Sequence, residues 1–227
     1  MPVYQLPEEP YFPDPNLARE DGLLAIDGDL SPQRLIQAYA AGIFPWYSEG
    51  EPILWWSPDP RMVLFPKDFK RSKSLRATIN KGLFRVTFDA AFGEVINQCA
   101  LVRIKDKEGT WITNEMIDAY VELHQLGIAH SVEAWQDDRL VGGLYGISLG
   151  GTFFGESMFH TVTDASKVAL WYLVDKLLGW DFDMIDVQQE TAHLRSLGAQ
   201  PVERKKFLHL LHKSLEKPTR KGSWSED

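Results

Sequence analysis

Cysteine is almost missing from this chain: Cys99 is the single one in 227 residues. Intramolecular disulfides are therefore excluded, and so are metal sites built on several thiolates. Set in "AFGEVINQCALV", four residues after Val95, Cys99 belongs on the buried face of a helix. No stretch reaches about 18 consecutive apolar residues, the length a membrane-crossing helix needs. The N-terminal "MPVYQLPEEPYFPDP" lacks a basic start and an apolar run before a cleavage site, so a cytoplasmic protein is expected. Positive charge is also in deficit, with 24 Lys and Arg against 32 Asp and Glu and a net charge of −8. That balance argues against a generic nucleic-acid coat, which needs a basic surface.

What is present is enough apolar material, 44% of the residues, for one large domain or two small ones with a sizeable core. The positive charge that exists is concentrated. Between Lys67 and Arg85, "KDFKRSKSLRATINKGLFR" carries seven Lys or Arg against one Asp. Such a run is commonly a solvated face, and the alternative is a phosphate-binding patch. The last 25 residues are basic too, and "EKPTRKGSWSED" reads as a frayed tail.

"SPQRLIQAYAAG" predicts a short helix, with Ser31 as its cap, Pro32 at its first position and Gly42 at its end. "ILWW" and "RMVLF" read as short strands around the "SPDP" turn, and residues 1–80 are taken as a small N-terminal α+β domain. Residues 81–227 alternate: strands at 84–88, 130–136, 139–149, 151–159 and 183–188, helices at 90–102, 114–126, 164–178, 191–197 and 204–216. Three adjacent strands followed by helix, strand and helix predict an α/β domain with a mixed sheet.

Several motifs bear on chemistry. "GISLG", residues 146–150, fits the G-x-S-x-G pattern of serine hydrolases, but that pattern needs a strand, a sharp turn and a helix. Here a second β-like run follows, so a hairpin is expected. His209 and His212 lie three apart on one helix with no third ligand near in sequence, and no metal site is expected from them. In "DMIDVQQ" the alternation of a strand sends Met184, Asp186 and Gln188 to one face. Burying an unpaired Asp is costly, so Asp186 has either a structural partner or a place beside a cleft. "GTFFGESMFH" sets Glu156 in an aromatic run, as a lone rim residue or as one end of an amphipathic pocket. "GTWITNEM" brings Trp111 to a helix capped by Thr113 or Asn114, where it is a hydrophobic staple or, with Trp46, a platform for stacking a base. Trp46 itself stands in "GIFPWYSEGEPILWWSPDPR", 42–61, a stretch too broken by prolines to be a core helix.

Taken in order, "IDGDLSP" (26–32), "GIFPWYS" (42–48), "ILWWSPDPR" (53–61), "GTWIT" (109–113), "AHSVEAW" (129–135), "LVGGLYGISLGGTFFGESMF" (140–159), "DASKVAL" (164–170) and "SLGA" (196–199) resemble the bacterial leucyl/phenylalanyl-tRNA–protein transferases over most of the chain. The resemblance implies a GNAT-like second domain. It also implies transfer of Leu or Phe from aminoacyl-tRNA to the N-terminal amine of proteins beginning with Arg or Lys, which marks them for degradation. Trp46 and Trp111 would hold the 3′-terminal adenosine, while Trp55 and Trp56 would pack between domains. Leu144, Phe153, Gly155, Met158, Leu170, Leu173 and Leu177 would line the pocket for the Leu or Phe side chain, with Met a weaker substrate. Strict alternation puts Phe153 and Met158 on opposite faces of their strand, so a bulge near Gly155 is predicted.

Asp186 and Gln188 match the catalytic pair of that family, and Glu156 would favour the cationic acceptor. The expected division of labour has the Gln188 carbonyl accepting a hydrogen bond from the amine while Asp186 polarises Gln188. Lys70, Arg71, Lys73, Arg76 and Lys81 would contact tRNA phosphates, although Ala77 and Asn80 stand where the family carries charge. The tRNA ester is already activated, so no cofactor is expected, and nothing in the sequence demands more than a monomer. An acyl-CoA-dependent N-acyltransferase is the main alternative. Its pyrophosphate loop has only a poor match in "RLVGGL", 139–144, and "FHTVTDASK" occupies the loop's place. A non-catalytic tRNA or glycan binder would use the tryptophans but would have no need of Asp186 and Gln188 on a cleft face.

Overall fold

Prolines and glycines punctuate the first sixty residues so closely that only short elements fit between them. The computed structural model describes residues 2–105 and 111–225. It opens with β1 (Tyr4–Gln5), β2 (Leu23–Ile26), α1 (Pro32–Ala40), β3 (Phe44–Pro45) and β4 (Leu54–Trp56), then β5 (Arg61–Leu64) and α2 (Lys73–Asn80). The Ser31 hydroxyl caps α1 by accepting from the Arg34 N–H, and Pro32 opens it. The helix stops before Gly42, whose φ of +74° excludes most other residues; a Cβ there would also sit 2.7 Å from Leu208.

The remaining elements are β6 (Arg85–Phe88), α3 (Phe92–Lys105), α4 (Asn114–Gln125), β7 (Ala129–Gln136), β8 (Arg139–Leu149), β9 (Thr152–His160), α5 (Ala165–Gly179), β10 (Met184–Gln188), α6 (Ala192–Ser196), β11 (Gln200–Val202) and α7 (Arg204–Ser214). The mixed α/β sheet flanked by helices is the expected fold class. "GISLG" leads into a hairpin turn between the antiparallel β8 and β9, as its flanking runs predict. Thr113 is the cap of α4, and Cys99 is buried in the core. Gly109 and Thr110 of "GTWIT" lie outside the described residues.

β1–β2–β4–β3 form a small sheet, and β11–β5–β10–β9–β8–β7–β6 form a large one. β5 thus belongs to the large sheet, between β10 and β11, and the expected break after residue 80 does not coincide with the sheet boundary. The tryptophans differ from expectation as well. Trp55 is buried within the N-terminal part, its indole N–H donating to the Asp27 carbonyl and its ring edge-on to Phe12. Trp56 braces Trp46, donating to the Trp46 carbonyl at 2.7 Å.

Two hydrophobic cores cover the two faces of the large sheet. One joins α1, α3, α4 and the small sheet to Phe154 and Phe159, and the other joins α5 to Leu144 and Phe153. The basic run folds into α2 on that second face, held by Leu75 and capped by Ser72. The segment after α7 does not fray as expected. Trp224 is 2% exposed, and the Gly222 N–H donates to the Gly127 carbonyl, so residues 216–225 dock against the body.

Candidate active site in the cleft between β9 and β10

Only β9 and β10 run parallel in the large sheet, and they pair for just three residues, Met184 to Asp186 against Thr152 to Phe154. Beyond that point each strand carries an irregularity. On β9 the register against β8 jumps from Tyr145–Ser157 to Gly146–Gly155, leaving Glu156 as an extra residue. On β10 the register against β5 skips Val187, and Gln188 takes φ +62°. The strands therefore part, and a cavity of about 400 Å³ opens between them.

The bulge foreseen near Gly155 is there, one residue on. It returns Met158 to the face of Phe153, while Phe154 and Phe159 share the opposite core. The glycine that this geometry demands is Gly146 across the hairpin: a Cβ there would lie 2.1 Å from the Phe154 carbonyl oxygen. A Cβ on Gly155 would come no closer than 3.8 Å to anything, so Gly155 leaves space in the cavity.

Of the seven side chains expected in a pocket, Leu144, Phe153, Gly155, Met158, Leu170 and Leu173 line the cavity. Leu177 does not: it is fully buried one turn further along α5, inside the core. Ile185 and Val187 of β10 and Leu194 of α6 add to the apolar wall and were missed, because an apolar residue facing a cavity reads like any core residue. Trp46, 38% exposed, and Trp111 both stand on the lining, so the structure brings together two rings that are 65 positions apart in sequence.

The polar end of the cavity holds Glu156 and Gln188. Gln188 Nε2 donates to Glu156 Oε1 at 2.8 Å, and that oxygen also accepts from the Tyr39 hydroxyl at 2.7 Å. Tyr120 donates to Oε2 at 3.1 Å, and the two tyrosine hydroxyls touch each other. Burial pushes the Glu156 carboxyl up to about 7 and the nearby Asp186 charge adds to the rise, against the pull of the three donors. The sequence around Tyr39 in α1 carries no trace of this role beyond the rule that a buried Tyr hydroxyl needs a partner.

Asp186 is not on the cavity. It is buried and receives Arg61 Nε at 2.8 Å and Nη2 at 2.7 Å, a forked ion pair. The contact with Gln188 is through the backbone, whose N–H donates to Asp186 Oδ1 at 3.0 Å. Asp186 thus has the structural partner that the alternation left open, and no side-chain contact links it to the Gln188 amide among the described hydrogen bonds. Arg61 was missed: it lies 125 residues from Asp186, and spacing carries no trace of the pairing.

Of the expected phosphate contacts, Lys70, Lys73, Arg76 and Lys81 are exposed. Arg71 is half-buried, paired with Asp175 and set over the Trp171 ring. His193 stands on the rim of the cavity, its imidazole held below the usual range by burial and by Lys167 and His160. Among the described residues no group of three or more His, Cys, Asp or Glu is arranged to hold a metal, and no helix is long and apolar enough to cross a membrane.

Comparison with known proteins identifies the family. Residues 63–212 match the family model of leucyl/phenylalanyl-tRNA protein transferase, and residues 28–59 match that of its N-terminal domain. A leucyl/phenylalanyl-tRNA–protein transferase of Desulfatibacillum aliphaticivorans is 59% identical, across 99% of this chain and 97% of that one. One from Legionella pneumophila is 56% identical, across 95% and 96%. Among solved structures, an aminoglycoside acetyltransferase from a soil metagenomic sample superposes with a TM-score of 0.40 at 11% identity, across 51% of this chain and 84% of that one. With two family models in register and near full-length identity above half, the chain belongs to the leucyl/phenylalanyl-tRNA–protein transferase family of aminoacyltransferases.

Proposed function

We propose that this protein, acting in the cytoplasm as a monomer, moves Leu or Phe, and more weakly Met, from aminoacyl-tRNA to the N-terminal α-amine of proteins that begin with Arg or Lys. Such a transfer would mark those proteins for degradation. The observation that carries the reading is the cavity itself, apolar at its depth, acidic and amide-bearing at one end, with Trp46 and Trp111 beside it. The aminoacyl side chain occupies the apolar part, where shape discriminates by only about 1–3 kcal/mol per methylene, so an unbranched Met is tolerated. The terminal adenine stacks on the tryptophans, and exposed Lys70, Lys73, Arg76 and Lys81 meet the phosphate backbone, with Arg71 steadied by Asp175 and Trp171.

Gln188 is the residue that meets the attacking amine. Its amide nitrogen is committed to Glu156, so its carbonyl oxygen is the end that accepts from the amine. An amine with a pKa of about 7.7–8.0 is neutral for roughly a tenth of the time at pH 7, and the ester is already activated, so holding the two in line supplies much of the rate. The C–N bond forms, the ester C–O bond breaks, and the amine proton leaves for the departing ribose oxygen. Glu156 fixes the amide and offers negative charge to the acceptor's Arg or Lys. Asp186 acts through the backbone: with Arg61 it anchors the β10 bulge from which Gln188 projects.

The test mixes purified protein with labelled Leu-tRNA and two peptides, one beginning with Arg and one with Glu, without CoA or ATP. Label on the Arg peptide alone is the expected result. Bound tRNA with no transfer to either peptide would reduce the protein to a binding module.

A further inference from the structure

The docked C-terminal segment ends against the far side of the pocket wall. Trp224 does not line the cavity, yet its ring lies 5.9 Å from that of Phe153, tilted by 43°. β8 also crowds the Phe153 ring, since a Cβ on Gly146 would approach it to 2.7 Å. Phe153 thus borders the cavity, while Trp224, which does not, packs against its ring within the core.

Trp224 is itself held on every side. His130 stacks on it at 3.8 Å with a 10° angle, and Trp180 and Phe182 meet it edge-on. Its N–H donates to Asp89 Oδ2 at 2.7 Å, the oxygen that also contacts His130 Nδ1, and its carbonyl accepts from Lys176 Nζ at 3.1 Å. Further back, Lys217 Nζ reaches Asp183 Oδ1 at 2.9 Å and Thr219 Oγ1 accepts from the Gly150 N–H at 3.0 Å. A segment with that many anchors transmits a fixed position rather than a loose contact.

We propose that Trp224 is a specificity-determining positioning residue: by backing the Phe153 ring it sets the depth of the aminoacyl pocket and so the balance between Phe and Leu. The inference rests on the reading of the cavity as the aminoacyl pocket. One methylene of space changes discrimination by roughly tenfold or more, so a retreat of the ring by about that much is enough to change the ratio.

The experiment compares kcat/KM for Phe-tRNA and Leu-tRNA, to an Arg-initiated peptide, in the wild type, Trp224→Ala and Trp224→Phe, each checked by thermal unfolding. Trp224→Ala should let Phe153 fall back and raise the Phe-to-Leu ratio roughly tenfold, through KM rather than kcat. Trp224→Phe keeps an aromatic ring in the site and protects the fold, and it should move the ratio the same way by a smaller factor. A ratio unchanged in the folded Trp224→Phe protein, or both rates falling together as they would if Trp224 only stabilised the fold, overturns the inference. A wild type that binds tRNA and transfers neither amino acid overturns the pocket reading instead, and this inference with it.

Discussion

Two carboxylates stand beside the cleft on neighbouring parallel strands, Asp186 on β10 and Glu156 on β9, and both are withdrawn from water. Asp186 meets a guanidinium in two hydrogen bonds, and its surroundings offer a full opposite charge. Glu156 meets only neutral donors, Tyr39, Tyr120 and the Gln188 amide, and its proton equilibrium moves to about 7. A buried charge with a charged partner is an anchor, whereas a buried acid with neutral partners is a group that can change state near physiological pH. The anchor lies behind the strand and the adjustable group faces the cavity, which is the division of labour the proposed reaction needs.

The largest test removes the cation. Arg61→Ala strands the Asp186 carboxylate and should cost about 3–5 kcal/mol in denaturant unfolding, whereas the double variant Arg61→Met with Asp186→Leu should recover most of that loss. A single-variant cost under about 1 kcal/mol would mean that the two carboxylates are not different in kind.

Glu156 gives the pH-dependent counterpart. Its folded pKa of about 7 lies above the ordinary 4.5, so the folded protein holds the proton over the interval between them. The contribution is full below pH 4.5 and is lost as pH rises through about 7, a change on the order of 3 kcal/mol. The unfolding free energy should therefore fall from pH 5 to pH 8 for the wild type relative to Glu156→Gln. In transfer assays the rate should climb as Glu156 ionises near pH 7; Glu156→Gln should lose that limb and keep the one due to the amine.

The bulge that turns Glu156 toward the cavity separates two glycines. Gly146→Ala should destabilise the fold by about 1–3 kcal/mol through overpacking against Phe154 and Phe153. Gly155→Ala should leave stability nearly unchanged and reduce use of Phe more than Leu, by filling the cavity. The smallest effect belongs to Asp175→Ala, which breaks the half-exposed pair with Arg71 and should change stability by less than about 1 kcal/mol. Against Arg61→Ala, that variant measures how much of an ion pair's effect comes from burial.

Much of the frame was legible. The strands of the β8–β9 hairpin, the long apolar α5, the capped α1 and the bulge demanded by Phe153 and Met158 all follow from periodicity and turn chemistry, which act within a few residues. The misses share one cause. α2 is hidden by its charges and held by Leu75 against a core built from elsewhere. β5 pairs with strands more than a hundred residues downstream, and the basic tail looks mobile until Trp224 finds His130 and Asp89.

By itself the sequence determined the local elements, the family resemblance, and the presence of an acid, an amide and two indoles at places where chains of this pattern keep them. The tertiary structure alone decided what those groups are: that Asp186 is locked to Arg61, that burial brings Glu156 near neutrality against the pull of Tyr39, Tyr120 and Gln188, and that Phe153 has Trp224 behind it. The reason is physical. A proton equilibrium and a pocket's depth are set by desolvation and by the nearest partners in space, and for Glu156 those partners come from as far as 117 residues away, a distance over which no periodicity carries information.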